Sequence, residues 1–411
     1  MTNRASDLPS NHSDILIAGA GIAGLATALA LARTGRAVTV LEKRAESSEE
    51  GAGIQIGPNG MRILQALGVT SFLKGKIACP ECIRVMDGLS GKHLTSLPLG
   101  RDIAARHGAP YGVLHRGDLH GALRTAVASM PAVTIRHEAN VIAARSSSES
   151  VTVELAGGAK MQGALLIGAD GIWSTLRSTV MGAPPLTFTG KCAIRTVIAN
   201  DAVPPGISTT DTTIWLRPAA HVVHYPVRAG RELAIVAIFD DRALGETWSQ
   251  LVEPALISDR TRSFPTVLRT LLQQPTQWRQ WSLYTPEAPF RWIEKRVVLL
   301  GDAAHPPLPF LAQGGVMALE DAIVLAELLR TIATTDMPAR LQDFERIRRP
   351  RTTRVMEASA RNGRAYHLDG LRRRARNAVL TATPAHLFMR QYDWLYGWTV
   401  EDALTSARTP V

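Results

Sequence analysis

Cysteine is scarce in this sequence, which limits the classes of protein it can belong to. The 411 residues include only three cysteines, too few to predict a disulfide framework. Cys79 and Cys82 have the CxxC spacing found in redox and zinc sites. No second pair completes a zinc site, so we interpret both as unpaired thiols in a reducing cytoplasm and predict no metal site.

Long apolar runs are also rare. The run 15–32 has the length of a signal or membrane segment, but its glycines fit a strand–turn–helix pattern. Little positive charge precedes it, unlike in a signal peptide. We therefore predict no membrane segment, a cytoplasmic location and a short disordered N-terminal tail.

Positive charge is in excess, with 46 Lys and Arg against 36 Asp and Glu. A net charge of +10 suits anionic partners in general, including nucleic acid, a nucleotide cofactor or a carboxylate substrate. Much of the excess lies in the stretches 346–354 and 372–376, which predict helix with a solvated basic face. No aromatic residues are interleaved with these arginines as in nucleic-acid readers, so we predict no nucleic-acid binding.

The length of the chain predicts two domains, because a single core stops growing at about 250–300 residues. Strands at 14–18 and 37–41 flank an alanine-rich helix at 22–33, a βαβ unit that requires a parallel sheet. Between 186 and 289 prolines and β-branched residues increase, which predicts an inserted antiparallel sheet. Its expected strands are 193–199, 212–216, 221–227 and 233–239. A buried strand at 296–300 then resumes the first domain.

The predicted fold class is α/β: a Rossmann-like domain with a parallel sheet, an inserted and mostly antiparallel sheet domain, and C-terminal helices. The first domain is expected in three parts, the second in two, and the helices at the end. The boundaries that we predict are 1–78, 106–185 and 290–365 for the first domain, 79–105 and 186–289 for the second, and 366–411 for the helices.

A GxGxxG sequence, residues 19–24, joins the first strand to its helix. In such a turn the first glycine permits the bend, the second lets the backbone approach a pyrophosphate, and the third lets the helix pack on the strand. The helix N-terminus offers free N–H groups to phosphate, and an acidic residue ending the second strand accepts ribose hydroxyls. The unit predicts a dinucleotide site formed by Gly19, Gly21, Ala23, Gly24, Glu42, Lys43 and Arg44.

Two more motifs follow buried strands. Gly168-Ala169-Asp170-Gly171 opens a tight turn into a helix, and helix capping is the plainer explanation of its aspartate. Asp302 follows the strand at 296–300, and the glycine pair Gly314-Gly315 opens the next helix. An aspartate in that place can accept hydrogen bonds from hydroxyls, and glycine N–H groups can face a phosphate or an electron-rich ring.

In order and spacing the three motifs resemble those of the FAD-dependent class A aromatic hydroxylases, the family of p-hydroxybenzoate and salicylate hydroxylases, over nearly the whole chain. Within that family the resemblance is greatest to the 3-hydroxybenzoate 6-hydroxylases. It implies that Asp170 shapes the FAD and nicotinamide site, that Asp302 binds the ribityl–pyrophosphate region and that Arg116 reaches the FAD. It also adds Gly53, Gly314 and Gly315 to the expected FAD site.

On the expected strand 221–227, His221 and Tyr225 lie four residues apart and so share a face, whereas His224 points to the other. The 3-hydroxybenzoate 6-hydroxylases resemble this chain in having a His and a Tyr in the substrate pocket, with Gln313 opposite. That implies a phenol deprotonated by His221 and oriented by Tyr225 and Gln313. An imidazole suits the task because its pKa lies near the operating pH; a structural histidine is the alternative.

The resemblance thus implies a single-component monooxygenase acting on a phenolic aromatic acid. The best match is 3-hydroxybenzoate, converted to 2,5-dihydroxybenzoate with O2 and NADH or NADPH through a flavin C4a-hydroperoxide. The absence of a second GxGxxG agrees with a nicotinamide that binds transiently, and the resemblance favours NADH. Segments 367–370 and 392–398 resemble helices that form a homodimer contact, with packing inside the chain as the other interpretation.

Some positions depart from the family pattern. Residues 191–196 stand where relatives carry an aromatic-rich stretch ending in Arg-Gly, and Gly315 replaces a more usual alanine. A salicylate-type decarboxylating hydroxylase and a hydroxypyridine-carboxylate hydroxylase therefore stay open. An FAD-binding protein without monooxygenase activity is an alternative of another class. The sequence identifies no dedicated arginine for a substrate carboxylate.

Overall fold

The computed structural model describes residues 12–45, 52–241 and 250–406. The expected N-terminal tail lies outside these residues. Strands are numbered β1 to β18 and helices α1 to α13 in chain order. The described residues form two eight-stranded sheets, one two-stranded ribbon and thirteen α-helices.

The first sheet contains the predicted βαβ unit. Its strands are β1 (His12–Ala18), β2 (Val38–Leu41), β7 (Val133–Arg136), β8 (Val141–Ser146), β9 (Val151–Leu155), β10 (Lys160–Gly168), β17 (Ile293–Glu294) and β18 (Val297–Leu299). The order is β17-β18-β10-β1-β2-β7, and the pairs from β18 to β7 are parallel. Strands β8 and β9 extend β10 in antiparallel fashion. The carboxyl ends of β1, β10 and β18 therefore meet at one edge of the sheet.

The second sheet is inserted between β10 and β17, as predicted, and takes two strands from earlier in the chain. Its strands are β4 (Cys82–Asp87), β5 (His93–Pro98), β11 (Leu186–Ala199), β12 (Thr212–Arg217), β13 (Ala220–Val227), β14 (Glu232–Asp240), β15 (Gln250–Val252) and β16 (Trp278–Pro286). The order is β15-β16-β11-β14-β13-β12-β4-β5, and only the β12–β4 pair is parallel. The domain boundaries within the chain stay a prediction.

A ribbon of β3 (Gly53–Ile56) and β6 (Gly112–His115) lies beside the second sheet. The helices are α1 (Ile22–Arg33), α2 (Pro58–Ala66), α3 (Gly100–His107), α4 (Arg116–Ala128), α5 (Thr175–Thr179), α6 (Pro254–Arg260), α7 (Thr266–Leu272), α8 (Gly314–Leu328), α9 (Met337–Tyr366), α10 (Gly370–Ala382), α11 (Ala385–Arg390), α12 (Asp393–Tyr396) and α13 (Val400–Ser406). Within the described ranges, no helix is both long and apolar enough to cross a bilayer.

Both faces of the second sheet are buried, against different neighbours. One face packs with α6 and α7 around Phe239 and Leu268. The other face, which we call the inner face, packs around Tyr225 together with Val113 of the ribbon and Met317 of α8. Side chains on the inner face therefore point towards the first domain and its carboxyl edge.

Helix α9 corrects the prediction of a solvated basic face over the first arginine-rich stretch. Arg348 is fully buried and bonds to Asp321 and Glu320 of α8 at 2.7 and 2.8 Å. Arg351 is nearly buried and also bonds to Glu320, while Arg346 of the same stretch stays largely exposed. The stretch is a helix, but part of its charge lies inside the molecule.

Candidate active site

The glycine turn between β1 and α1 has the close contacts that its motif predicts. Gly19 has a φ of +102°, and a Cβ there would lie 2.5 Å from the carbonyl oxygen of Ala169. A Cβ on Gly24 would lie 1.9 Å from the carbonyl oxygen of Gly19. Beside Gly21 the space is open, with no atom within 4 Å of a Cβ. A phosphate could therefore approach the N-terminus of α1 at Gly21.

Glu42 follows β2 and lies against the same turn. Its Oε2 accepts a hydrogen bond from Ala20 N at 2.8 Å, and its Oε1 accepts one from Arg44 N at 3.0 Å. Lys43 and Arg44 follow it and are exposed. The carboxylate of Glu42 is thus placed beside the glycine turn, where a ribose bound there would meet it.

Arg177 links the motif that contains Asp170 to the motif that contains Asp302. Its guanidinium donates to the carbonyl oxygens of Asp302 and Ala303 at 3.5 and 3.4 Å, and to that of Ile172. Asp170 accepts from Leu176 N at 3.2 Å through Oδ2, so it does bind the start of α5. Its Oδ1 is buried without a hydrogen-bond partner among the described residues, and burial raises the pKa of this carboxyl.

Asp302 lies at the carboxyl edge of the first sheet, next to the start of α8. The residue is exposed, yet burial among the surrounding protein atoms raises the pKa of its carboxyl. Arg116, the exposed first residue of α4, acts on it as a nearby positive charge. A Cβ on Gly314 would lie 4.0 Å from Asp302 Oδ1, and one on Gly315 would lie 2.9 Å from Ile54 Cδ1.

Two small residues, Ala23 and Gly53, allow close packing beside Asp302 and Tyr225. Ala23 of α1 packs on the Asp302 motif. A Cβ added to Gly301 would lie 3.0 Å from the Cβ of Ala23. Gly53 of the ribbon meets the inner face: a Cβ there would lie 2.4 Å from Tyr225 Cε2 and 2.7 Å from the Tyr225 hydroxyl oxygen. The absence of a side chain at Gly53 is what lets Tyr225 sit against the ribbon.

Tyr225 and His221 share the inner face, as strand alternation predicts. Tyr225 is paired across the sheet with Ala234, and burial raises the pKa of its phenol to about 12 although Gln55 hydrogen bonds to it. It is therefore a neutral hydroxyl at physiological pH. His224, on the opposite face, is fully buried, and burial lowers its pKa to about 3.

His221 is buried and surrounded by rings. Its ring centre lies 5.5 Å from that of Phe310 and 5.2 Å from that of Tyr366. Its Nδ1 is 2.8 Å from His367 Nε2. Burial first, and then the nearby His367 and Lys191, hold the pKa of His221 well below its usual value, against the opposite pull of Asp240. The imidazole is neutral at physiological pH and can accept a proton.

Arg195 of β11 lies on the same inner face, although no sequence pattern singles it out. It pairs with Val236, which pairs in turn with Val223 between His221 and Tyr225. Its Nε is buried without a hydrogen-bond partner within the described parts of the chain. Its guanidinium lies 5.2 Å from the ring centre of Trp281. The inner face therefore carries a positive charge beside His221 and Tyr225.

Gln313 caps the start of α8 and is buried. Its Oε1 accepts a hydrogen bond from Asn59 at 3.1 Å, and Asn59 donates also to Glu320 at 2.8 Å. The carbonyl end of the Gln313 side chain is thus held by a buried polar network. That network continues to Arg348 and to Asp321, which accepts from Gly301 N at 2.8 Å and contacts His305 Nε2 at 2.7 Å.

Known proteins resemble this chain in sequence and in fold. Residues 12–359 match the model of a protein family described as FAD binding domain. The 3-hydroxybenzoate 6-hydroxylase of Klebsiella oxytoca is 34% identical over 389 residues, 95% of this chain and 98% of its own. A 3-amino-4-hydroxybenzoate 2-monooxygenase of Streptomyces platensis is 34% identical over 95% of this chain and 97% of its own.

The chain belongs to the FAD-dependent aromatic hydroxylases. A solved salicylate hydroxylase in complex with substrate has the same fold, with a TM-score of 0.81 and 24% identity over 98% of this chain and 99% of its own. The predicted family and fold class are confirmed.

The site residues of this hydroxylase fit FAD. The open side of Gly21 and the N-terminus of α1 suit the pyrophosphate, Glu42 suits a ribose, and Asp302 with the start of α8 suits the chain leading to the flavin ring. The buried Oδ1 of Asp170 has no hydrogen-bond partner among the described residues, and a cofactor bound beside it would supply the missing donor. In the described ranges no group of His, Cys, Asp or Glu is arranged to hold a metal ion.

Proposed function

We propose that this hydroxylase converts 3-hydroxybenzoate to 2,5-dihydroxybenzoate with NADH and O2. The observation that carries the proposal is the inner face of the second sheet, on which a neutral imidazole (His221), a neutral phenol (Tyr225) and a guanidinium (Arg195) lie together. A phenolic acid needs a base, a hydrogen-bonding partner and a counter-charge. Relatives named for 3-hydroxybenzoate and 3-amino-4-hydroxybenzoate match nearly the whole chain.

His221 would take the proton of the phenol. Phenolate oxygen donates electron density to the ring, so deprotonation makes the ortho and para carbons more nucleophilic. A base must be unprotonated to act, and the lowered pKa of His221 keeps it so across the physiological range. Phe310 and Tyr366 beside it exclude water from the place of proton transfer.

Tyr225, Gln313 and Arg195 would hold the ring. The raised pKa of Tyr225 keeps its hydroxyl a hydrogen-bond donor. Because Asn59 occupies the Gln313 carbonyl oxygen, the NH2 group of Gln313 is the end left to contact a ring. Arg195 would bind the carboxylate, since a guanidinium whose buried Nε has no hydrogen-bond partner among the described residues is stabilised by a nearby anion.

When bound, FAD supplies the redox chemistry: it accepts a hydride from the reduced nicotinamide and activates O2. The residues that would hold it are Gly19, Gly21, Ala23, Gly24, Glu42, Lys43, Arg44, Gly53, Arg116, Asp170, Asp302, Gly314 and Gly315. The exposed Lys43 and Arg44 would contribute charge near the adenosine end. NADH is proposed over NADPH from the resemblance to the 3-hydroxybenzoate 6-hydroxylases, and comparison of the two at equal concentration tests that choice.

A panel of rings tests the substrate. We expect 3-hydroxybenzoate to stimulate NADH oxidation most, with one 2,5-dihydroxybenzoate formed per NADH and little peroxide. Salicylate converted to catechol, or a hydroxypyridine carboxylate hydroxylated with better coupling, would replace the proposed substrate. If no ring stimulates flavin reduction, the protein binds FAD without acting as a monooxygenase.

Replacing the base tests the mechanism. H221A should lower the rate of hydroxylation by about 100-fold or more, the range for loss of a positioned general base, while FAD stays bound. H224L is the matched control, because His224 lies on the same strand but points to the opposite face. Product formation by H221A at the wild-type rate would remove His221 from the mechanism.

We also propose that the protein is a cytoplasmic homodimer. Three free thiols are typical of a reducing compartment. Helix α10 has no buried residue, and Leu371 and Val379 on it are 80% and 56% exposed. Exposed apolar residues on a helix suit contact with a second copy of the same chain.

A further inference from the structure

His221 is the inner end of a line of three side chains. Its Nδ1 lies 2.8 Å from Nε2 of His367, and Nδ1 of His367 lies 2.8 Å from Oδ1 of Asp240. Lys191 also bonds to Asp240. The three residues come from β13, from the end of α9 and from the end of β14, so only the folded chain brings them together.

The carboxylate fixes the direction of these hydrogen bonds. Asp240 can only accept, so Nδ1 of His367 carries the hydrogen and donates it. Nε2 of the neutral His367 then accepts, and Nδ1 of His221 donates to it. This assignment leaves Nε2 of His221 without a hydrogen. The tautomer of His221 is therefore the one in which Nε2 can act as a base.

The two ends of the line differ in their access to water. The side chain of His221 is buried, whereas that of Asp240 is 41% exposed and that of His367 is 6% exposed. We propose that His367 and Asp240 form a proton relay, which carries the proton of the phenol from His221 to the solvent. The relay depends on the proposed role of His221 as the base.

Each transfer in the relay breaks one bond to hydrogen and forms another. The phenol O–H bond breaks as an N–H bond forms at Nε2 of His221, and Nδ1 of His221 releases its proton to Nε2 of His367. Nδ1 of His367 then releases its proton to Asp240, which passes it to water. When the product oxygen regains a proton, the same steps run in reverse and restore the starting tautomers. No electrons are exchanged.

The charges around the line keep His221 and Asp240 unprotonated in the resting protein. Burial lowers the pKa of His221, so this imidazole holds a proton only briefly. Burial acts to raise the pKa of Asp240, but hydrogen bonds from His367 and Lys191 outweigh it and leave the pKa lowered. Tyr366 stays neutral because burial raises its pKa, and Arg376 bonds to the Tyr366 carbonyl oxygen at 2.8 Å.

The relay is tested by following phenolate formation when oxidised holoenzyme binds 3-hydroxybenzoate in a stopped-flow spectrometer. H367Q keeps a polar side chain of similar size but cannot pass a proton on. We expect it to slow phenolate formation by at least about tenfold, part of the range for proton transfer by a positioned side chain. H367A should be equally slow, and added imidazole should restore its rate. D240N should lie between wild type and H367Q.

H386Q is the matched control, because His386 is exposed on α11 and should leave the rate unchanged. If H221A abolishes phenolate formation but H367Q and H367A do not slow it, the relay is wrong and His221 remains the base. If H221A forms phenolate at the wild-type rate, both proposals fall. Failure of imidazole to restore H367A, with FAD and ring still bound, would indicate that His367 has only a structural role.

Discussion

Arg195 has an unusual position for a charged residue. Its Nε has no hydrogen-bond partner in the described ranges, and the neighbours named above, Tyr225 and Trp281, are uncharged. Burial lowers its pKa, which reflects the cost of removing a guanidinium from water. Such a cost is several kcal/mol for an ion without compensation. A ring that brings its own carboxylate would offset it, so we expect Arg195 to favour acids over plain phenols.

Replacing Arg195 should therefore separate two kinds of ring. We expect R195M to raise KM for 3-hydroxybenzoate by about 10- to 100-fold, the equivalent of about 1.4–2.8 kcal/mol. For 3-methylphenol, which has no carboxylate, KM should change by less than about twofold. R269M on α7, on the other side of the sheet, is the control. An equal change in KM for both rings would show that Arg195 does not bind the carboxylate.

Single residues were predictable where a local pattern determines their place. Gly19, Gly24 and Glu42 lie where a βαβ unit puts them, because turn, helix and strand are adjacent in sequence. Arg195 and His367 gave no such signal. Their neighbour His221 is on another strand, and only the register of β11, β14 and β13 brings Arg195 to the same face.

At the scale of the secondary-structure element, a buried polar network joins α8 to α9. Glu320 and Asp321 are fully buried inside the most apolar part of α8, and Arg348 of α9 bonds to both. Asp321 holds Gly301 N and His305, and Glu320 holds Asn59. The network thus links the start of the Asp302 motif to the helix that opens with Gly314. Two adjacent carboxylates in an apolar helix were the sequence signal that a buried cation must face them.

Removing that cation should cost more than removing an exposed one. We expect R348M to lower the free energy of unfolding by about 3–5 kcal/mol, because it removes the cation that Glu320 and Asp321 share while both carboxylates stay buried. R346M removes a largely exposed side chain that pairs with Asp343 and should cost less than about 1 kcal/mol. Urea unfolding of the FAD-bound protein at pH 7.5 measures both. Equal midpoints for the two variants would contradict a structural role of the network.

At the scale of the whole molecule, segment 392–398 near the C-terminus packs into the core of the chain. Arg351 donates to the carbonyl oxygens of Trp394 and Leu395 at 2.8 and 2.9 Å, and Tyr396 packs edge-on against Tyr111. Of the two interpretations of segment 392–398, the described contacts are those of packing within the chain. The exposed face of α10 is then the better candidate for contact with a second copy.

The homodimer has a direct test. L371R places a charge at the most exposed apolar position of α10, and burying it in an interface would be unfavourable. We expect light scattering after gel filtration to give a mass of about twice 44.4 kDa for the wild type and half that for L371R. L387R, on α11, is the control. A wild-type monomer, or a dimer that survives L371R, would contradict the proposed contact.

The insertion of one sheet inside another sets an order for synthesis. Strand β18 pairs with β10 through Leu299 and Gly168, but all of β11 to β16 is made between them. Domains usually fold as they emerge from the ribosome, N-terminal parts first. Here the carboxyl end of β10 has no partner strand until β18 is made, after all the strands of the second sheet. Asp302 comes shortly after β18, so a nascent chain acquires its full flavin site only after every strand of the second sheet has been made.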